Sequence, residues 1–172
     1  HDEETVWIDQ GNFDKVIYNI LSNAFKHTPE GGCIRIGVSA PTPNTGELRA
    51  DIQEWVKVRI FNSGSRVDEA WIGRIFDRFV QVNPYDALSG SGVGLNLSKM
   101  LIDLHHGRIS VENVEDGVEF SVLIPAGKEH LTPEELSETT RHKDLYVKQR
   151  SDNHEDLTFA AAGSRQERTV RA

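Results

Sequence analysis

The chain has very little cysteine: Cys33 is the only one in 172 residues. A single thiol excludes an internal disulfide and predicts a reducing compartment. Long apolar runs are missing too, and none approaches the roughly 20 residues that a membrane-crossing helix needs. No signal peptide is visible. Positive charge is in deficit, with 19 Lys and Arg against 27 Asp and Glu and a formal net charge of −8. Its basic residues are scattered rather than clustered, which argues against a surface built for nucleic acid. The expectation is a soluble, intracellular chain, free or cut from something larger, long enough for one ordinary domain. No internal repeat is present.

What the sequence does have is clear periodicity up to Pro125. Phe13, Val16, Ile17, Ile20, Leu21 and Ala24 recur at helical spacing and predict an amphipathic helix over 11–27. Ile34, Ile36 and Val38 alternate with Arg35 and Gly37, and Val56, Val58 and Ile60 with Lys57 and Arg59, as half-buried strands do. The turn chemistry of "APTPNTGEL" between them predicts that the two strands pair. Asp68 is placed to cap a short helix carrying Trp71, Ile72, Ile75 and Phe76. Leu97, Met100, Leu101 and Leu104 predict another helix stopping at Gly107. Two alternating runs follow, Ile109 and Val111, then Val118, Phe120, Val122 and Ile124. The order predicts an α+β fold: a two-layer sandwich with a mixed sheet and helices on one face. After Pro125 the chain turns polar. Residues 1–126 read as one domain and 127–172 as a linker or tail, with a short helix opened by Thr132-Pro133-Glu134-Glu135.

Glycine is concentrated in "SGSGVGLNLSKMLIDLHHG", where Gly90, Gly92 and Gly94 stand just before the helix of Leu97–Leu104. A dinucleotide turn needs G-x-G-x-x-G directly after a strand, and a P-loop needs Gly-Lys-Ser/Thr, where this chain has Leu95-Asn96. Neither fits. A flexible loop meeting a helix remains the plain alternative. If the loop binds, uncrowded amides and the positive end of the helix make an anion site, and phosphate is the obvious anion. On the first helix, Asn19, Asn23 and Lys26 form a row roughly 100–120° from the apolar face, and His27 continues it. Asparagine is a poor helix former. Each residue alone is most simply solvent-facing; together, beside an anion site, amide oxygens and a lysine suit a magnesium nucleotide. In "VRIFNSGSRV" a strand runs into Asn62, with Gly64 at a turn, and a fixed acceptor there could read an exocyclic amine.

The ordered set "NILSNAFKHTPEGG", "FNSGSRV", "IFDRFVQV", "GSGVGLNLSKMLIDLHHGRISV" and "GVEFSVLIP" resembles the N, G1, F, G2 and closing boxes of sensor histidine kinase ATP-binding domains. These are Bergerat-fold (GHKL) ATPases, related to the gyrase and mismatch-repair ATPases. The resemblance covers residues 6–125. It implies ATP and Mg²⁺ as cofactors, with Asn23 on the metal, Asn19 and Lys26 near the phosphates and His27 beside the nucleotide. It implies Asn62 and Gly64 facing adenine, Val67 among the nucleotide-binding residues, and Gly90, Ser91, Gly92, Val93, Gly94 and Leu95 at the lid over the phosphates. No residue of the chain is singled out as catalytic.

The implied reaction is transfer of the γ-phosphoryl group to a histidine on separate dimerisation helices, with a response-regulator receiver domain downstream and a cytoplasmic location, the parent being free or membrane-anchored. No nucleic acid or direct membrane contact is implied. The exit "LIPAGKEHLTPEEL" is similar to the linker into the receiver domain of hybrid kinases of gut-dwelling Bacteroidetes. Three positions depart from the family pattern besides Asn62, which replaces the usual Asp: Arg66 replaces a second Gly, Val118 a Thr, and Gln81 an Arg of the lid. These departures lie in the nucleotide pocket and motivate a second hypothesis, a nucleotide-sensing module that binds weakly and transfers nothing. A gyrase-like ATPase is a third, disfavoured because its glutamate base is replaced by Asn19.

Overall fold

Asp9 starts the first helix. Its Oδ1 accepts the amide of Asn12 at 2.9 Å, so the helix begins one residue earlier than periodicity predicts. The computed structural model describes residues 4–43, 51–52, 54–80, 92–138, 145–147 and 157–160. Along the chain they form β1 (Glu4–Val6), α1 (Gln10–His27), β2 (Cys33–Pro43), β3 (Glu54–Ser63), α2 (Glu69–Ile72), α3 (Gly94–Leu104), β4 (Arg108–Val114), β5 (Gly117–Pro125), α4 (Pro133–Glu138), β6 (Leu145–Val147) and β7 (Leu157–Ala160).

The main sheet has the order β4-β5-β3-β2-β7, and β1 pairs with β6 in a small second sheet. Every ladder is antiparallel; parallel pairing among the described residues is confined to the Val6–Gly127 bridge. Two of these ladders join strands consecutive in the chain, β2 with β3 and β4 with β5, the latter through Glu115-Asp116, where Asp116 adopts φ 63°. Alternation puts Val56 and Ile60, Ile109 and Val111, and Val118, Phe120, Val122 and Ile124 into one core with Val16, Ile20 and Ala24 of α1 and Leu101 and Ile102 of α3. This is the expected two-layer α+β sandwich.

Two helices differ from their sequence expectations. α2 carries Trp71 and Ile72 but ends there, at Gly73, a poor helix former, and the chain continues as tight turns (Arg74 N to Trp71 O, Asp77 N to Arg74 O, each 2.8 Å). Ile75 and Phe76 still reach the core, Phe76 meeting Phe120 edge-on at 6.4 Å. α3 runs as predicted, yet its buried residues are Ser98, Leu101 and Ile102. Leu97, Met100 and Leu104 lie outside, 38%, 57% and 70% exposed. The Ser98 hydroxyl can be buried because it donates to Gly94 O at 3.0 Å within its own helix.

Beyond Pro125, α4 starts at the expected signal. Thr132 Oγ1 accepts from Glu135 N, while Glu135 Oε2 accepts from Thr132 N, a reciprocal capping box. Glu135 Oε1 also meets His106 Nε2 at 2.8 Å, joining α4 to the end of α3. The Thr132 amide first, and then the His106 contact, lower the Glu135 carboxyl from 4.5 to about 2. A depressed carboxyl stabilises the fold above its unfolded pKa and loses that contribution as pH falls. The α4 attachment is therefore expected to be complete above about pH 4.5 and to weaken toward pH 2. Amide exchange of α4 followed through an acid titration checks this, and in Glu135→Gln the pH dependence should be gone.

Candidate nucleotide site

The C-terminal half of α1, the end of β3 and the start of α3 meet at one end of the sandwich. α1 and α3 are joined through Asn19, whose Nδ2 donates to Gly94 O (3.1 Å) and Ser98 Oγ (3.3 Å). At their other ends, Asp9 N donates to His105 Nε2 at 2.9 Å, so the helices run antiparallel. His105 Nδ1, at 2.6 Å from Leu101 O, is then the protonated nitrogen of that ring. This arrangement sets the first turn of α3 beside the middle of α1. α1, α2 and α4 have capping side chains in Asp9, Asp68 and Thr132. α3 begins at Val93 without one, so among the described residues no capping side chain accepts from its first amides.

Asn23 is half-buried, with its amide bonded to no described residue; Lys26 and His27 are exposed further along α1. The helix stops at Thr28, whose amide and hydroxyl both return to Ala24 O. Pro29 then lies against Gly64 at the end of β3. Gly64 has φ +73°, and a Cβ there would stand 2.5 Å from Pro29 Cγ and 2.7 Å from Cδ. Gly64→Ala is expected to cost at least about 2 kcal/mol, combining left-handed strain with overpacking against a rigid ring. A denaturant midpoint measures it; an unchanged midpoint would show that Pro29 yields freely.

Asn62 sits on the helix-facing side of β3 with only 2% of its surface exposed, directly opposite Val118 of β5. Its Nδ2 lies 2.6 Å from Ser65 Oγ. The turn after it is held firmly: Gly64 N donates to Asp116 O (2.8 Å), and Asn113 bonds both the amide (2.9 Å) and the carbonyl (2.7 Å) of Val67. Where the described chain resumes, Phe79 N donates to Gly92 O, and Gly92 (φ +68°) approaches so closely that a Cβ would come within 2.7 Å of Val80 O. That close approach accounts for one of the three glycines. Gln81, Gly90 and Ser91 lie outside the described residues.

Residues 8–128 match the family described as histidine kinase-, DNA gyrase B- and HSP90-like ATPases. The chain belongs to this family. It is an ATP-binding domain of the sensor histidine kinase type in the GHKL group. Histidine kinase P4 of Formosa agariphila is 31% identical over 137 residues, covering 76% of this chain and 9% of that protein. Sensor histidine kinase TmoS of Ectopseudomonas mendocina is 35% identical over 121 residues, covering 69% of the chain and 11% of that protein. The solved, nucleotide-free catalytic domain of histidine kinase ThkA shares 30% identity at a TM-score of 0.56, covering 69% of this chain and 68% of that one. The chain thus spans about a tenth of these two kinases and about two thirds of the solved catalytic domain.

Within this domain Asn19 of α1 is bonded to Gly94, beside Val93 and Leu95 at the start of α3. Asn62, Gly64 and Val67 follow one another from the end of β3, with Gly64 against Pro29 just after α1. Asn23 stands one turn beyond Asn19. Leu95 and Val67 also pack against the core. Sequence reasoning missed four polar residues that position this set: Ser65, Asn96, Ser98 and Asn113. Asn96 Nδ2 donates to Phe76 O at 2.9 Å, tying the turns after α2 to α3. A polar residue on the apolar face of α3 was the available signal for Ser98. Asn113 interrupts the alternation after Val111 in the same way.

Proposed function

We propose that this domain binds ATP with Mg²⁺ and delivers the γ-phosphoryl group to a histidine on dimerisation helices of a longer parent protein. The observation that carries this reading is the uncapped first turn of α3 held beside the Asn19–Asn23 row. Its amides, uncapped by any described side chain, and its positive end suit the phosphates, with Lys26 adding a cation. Asn23 would offer its amide oxygen to the metal. The donor set fits that ion: Mg²⁺ takes few protein ligands and keeps water and substrate phosphates. Among the described residues no group of three or more His, Cys, Asp or Glu could hold a metal by itself. When bound, Mg²⁺ neutralises phosphate charge.

The chain's own contribution is positioning. Asn62, with Gly64 and Val67 behind it, fixes the base, and the α3 amides and Lys26 fix the phosphates. Gly90, Ser91 and Gly92 would close over them, and His27 would flank the nucleotide. An imidazole nitrogen of the acceptor then attacks the γ-phosphorus in line, the bond to the β-phosphate oxygen breaks, and ADP leaves. The nucleotide-binding core would comprise residues 1–126, with 127–172 leading on to a receiver domain after adding α4, β6 and β7 to its edges, in a cytoplasmic parent assembly. No helix among the described residues is long and apolar enough to cross a membrane.

The neutral Asn62 paired with apolar Val118 favours a second reading, a module that senses nucleotide without transferring phosphate. γ-Labelled ATP with the chain and the dimerisation helices supplied in trans separates them. Label on the helices' histidine supports the kinase; binding without label supports the sensing module.

A further inference from the structure

We infer that this pocket accepts 6-oxopurine nucleoside triphosphates alongside ATP, because the Asn62–Ser65 pair can present either a hydrogen-bond acceptor or a donor to the base. The inference rests on the proposed nucleotide site and concerns how its floor reads the purine C6 substituent.

The polar groups around the end of β3 are largely engaged. Gly64 N–H is given to Asp116 O, Ser63 Oγ accepts from Cys33 N (2.8 Å), and Asn113 takes both the amide and the carbonyl of Val67. Opposite Asn62 stands Val118, 2% exposed and without a polar atom in its side chain. The Asn62 amide bonds, among the described residues, to Ser65 Oγ alone. Reading of the C6 position therefore falls on this amide.

A hydroxyl both donates and accepts. With Nδ2 donating to Ser65 Oγ, Oδ1 is left to accept from the 6-amino group of adenine. With the amide rotated by half a turn, Ser65 Oγ–H donates to Oδ1, and Nδ2 is left to donate to a 6-oxo group. Both states keep the buried Asn62–Ser65 hydrogen bond and turn the other end of the amide to the base. A carboxylate at position 62 would only accept and would set lone pairs against a 6-oxo oxygen. Asn62→Asp is thus a selectivity change as well as an affinity change.

The test is a Mg²⁺-supported equilibrium titration of the full chain with ATP and with inosine triphosphate, which lacks the guanine 2-amino group and so differs from ATP only in its C6 oxygen and the N1 proton that accompanies it. The unaltered chain should prefer ATP by less than about tenfold, and Asn62→Asp should raise that preference by at least about tenfold. Tight ATP binding with a preference above about tenfold in the unaltered chain overturns the inference and leaves the proposed function standing. An unchanged ratio in a folded Asn62→Asp variant also overturns it, since the selectivity would then lie elsewhere. If the variant does not fold, the ratio in the unaltered chain decides. Binding of neither nucleotide removes the proposed site and the inference together.

Discussion

Asn23→Ala should weaken Mg²⁺-dependent nucleotide binding by about 100-fold or more, the scale expected when a ligand to a sparsely held ion is lost. The fold should be untouched. Asn23 is half-buried beside the apolar face of α1 rather than in it, and its amide is bonded to no described residue. Its removal therefore orphans no described group and opens little space. Asn19→Ala makes the informative contrast: it breaks the bonds to Gly94 O and Ser98 Oγ that hold α3 against α1. That variant should lose stability as well as affinity, by about 1–2 kcal/mol for two neutral hydrogen bonds. Equal melting temperatures for Asn23→Ala and the parent, with binding lost, identify a binding residue. Full Mg-ATP binding by Asn23→Ala would move the metal elsewhere.

The chain alone should release phosphate from ATP at a rate about 10²–10⁴-fold below that of a hydrolytic site with a positioned general base. The side chain nearest that role is Asn19, an amide with no proton-accepting state near neutral pH, whose Nδ2 is committed to α3. Water in the site goes unactivated. Transfer to the chain's own histidines should be absent. His105 is held between Leu101 O and Asp9 N, and His106 between Glu135 and the edge of His130, both at the far end of α3 from its first turn. His27 is nearer but belongs to α1 itself, and its position cannot meet an in-line requirement set by a separate acceptor. Phosphate release with γ-labelled ATP measures the first point, and acid-labile label on the chain the second. Fast release would mean an ATPase rather than a kinase.

Much of this site could be read from the sequence because its carriers sit on strongly periodic elements. α1 is dictated by six apolar positions at helical spacing, so the side on which Asn19 and Asn23 fall follows directly. β3 and β5 alternate cleanly, which puts Asn62 and Val118 on the same face, and the ladder pairs them directly. Long-range polar bonds were not legible. The clamp of Asn113 on Val67 spans 46 residues, and the Asn19 bond to Ser98 spans 79. No local pattern encodes such partners.

α3 misled for a related reason. Leu97, Met100, Leu101 and Leu104 mark an apolar stripe, yet of these only Leu101 is buried, beside Ile102 and a satisfied Ser98, while the other three face outward. Counting apolar residues cannot anticipate a buried hydroxyl whose acceptor is its own helix. α2 was overextended because Ile75 and Phe76 hold helical spacing while tight turns, not a helix, deliver them to the core. Strands β6 and β7 come from the polar region after Pro125, where no alternation announces them.

The central proposal, a site assembled from α1, β3 and α3 for a magnesium nucleotide, is tested most directly by calorimetric titration of the unaltered chain with ATP, with Mg²⁺ and with a chelator in its place. Saturable binding at one site is expected with Mg²⁺, weakened at least about tenfold by the chelator, since the phosphates then lack their counter-charge. Equal affinity in both conditions would contradict the assignment of Asn23 to the metal, and no binding in either would contradict the site.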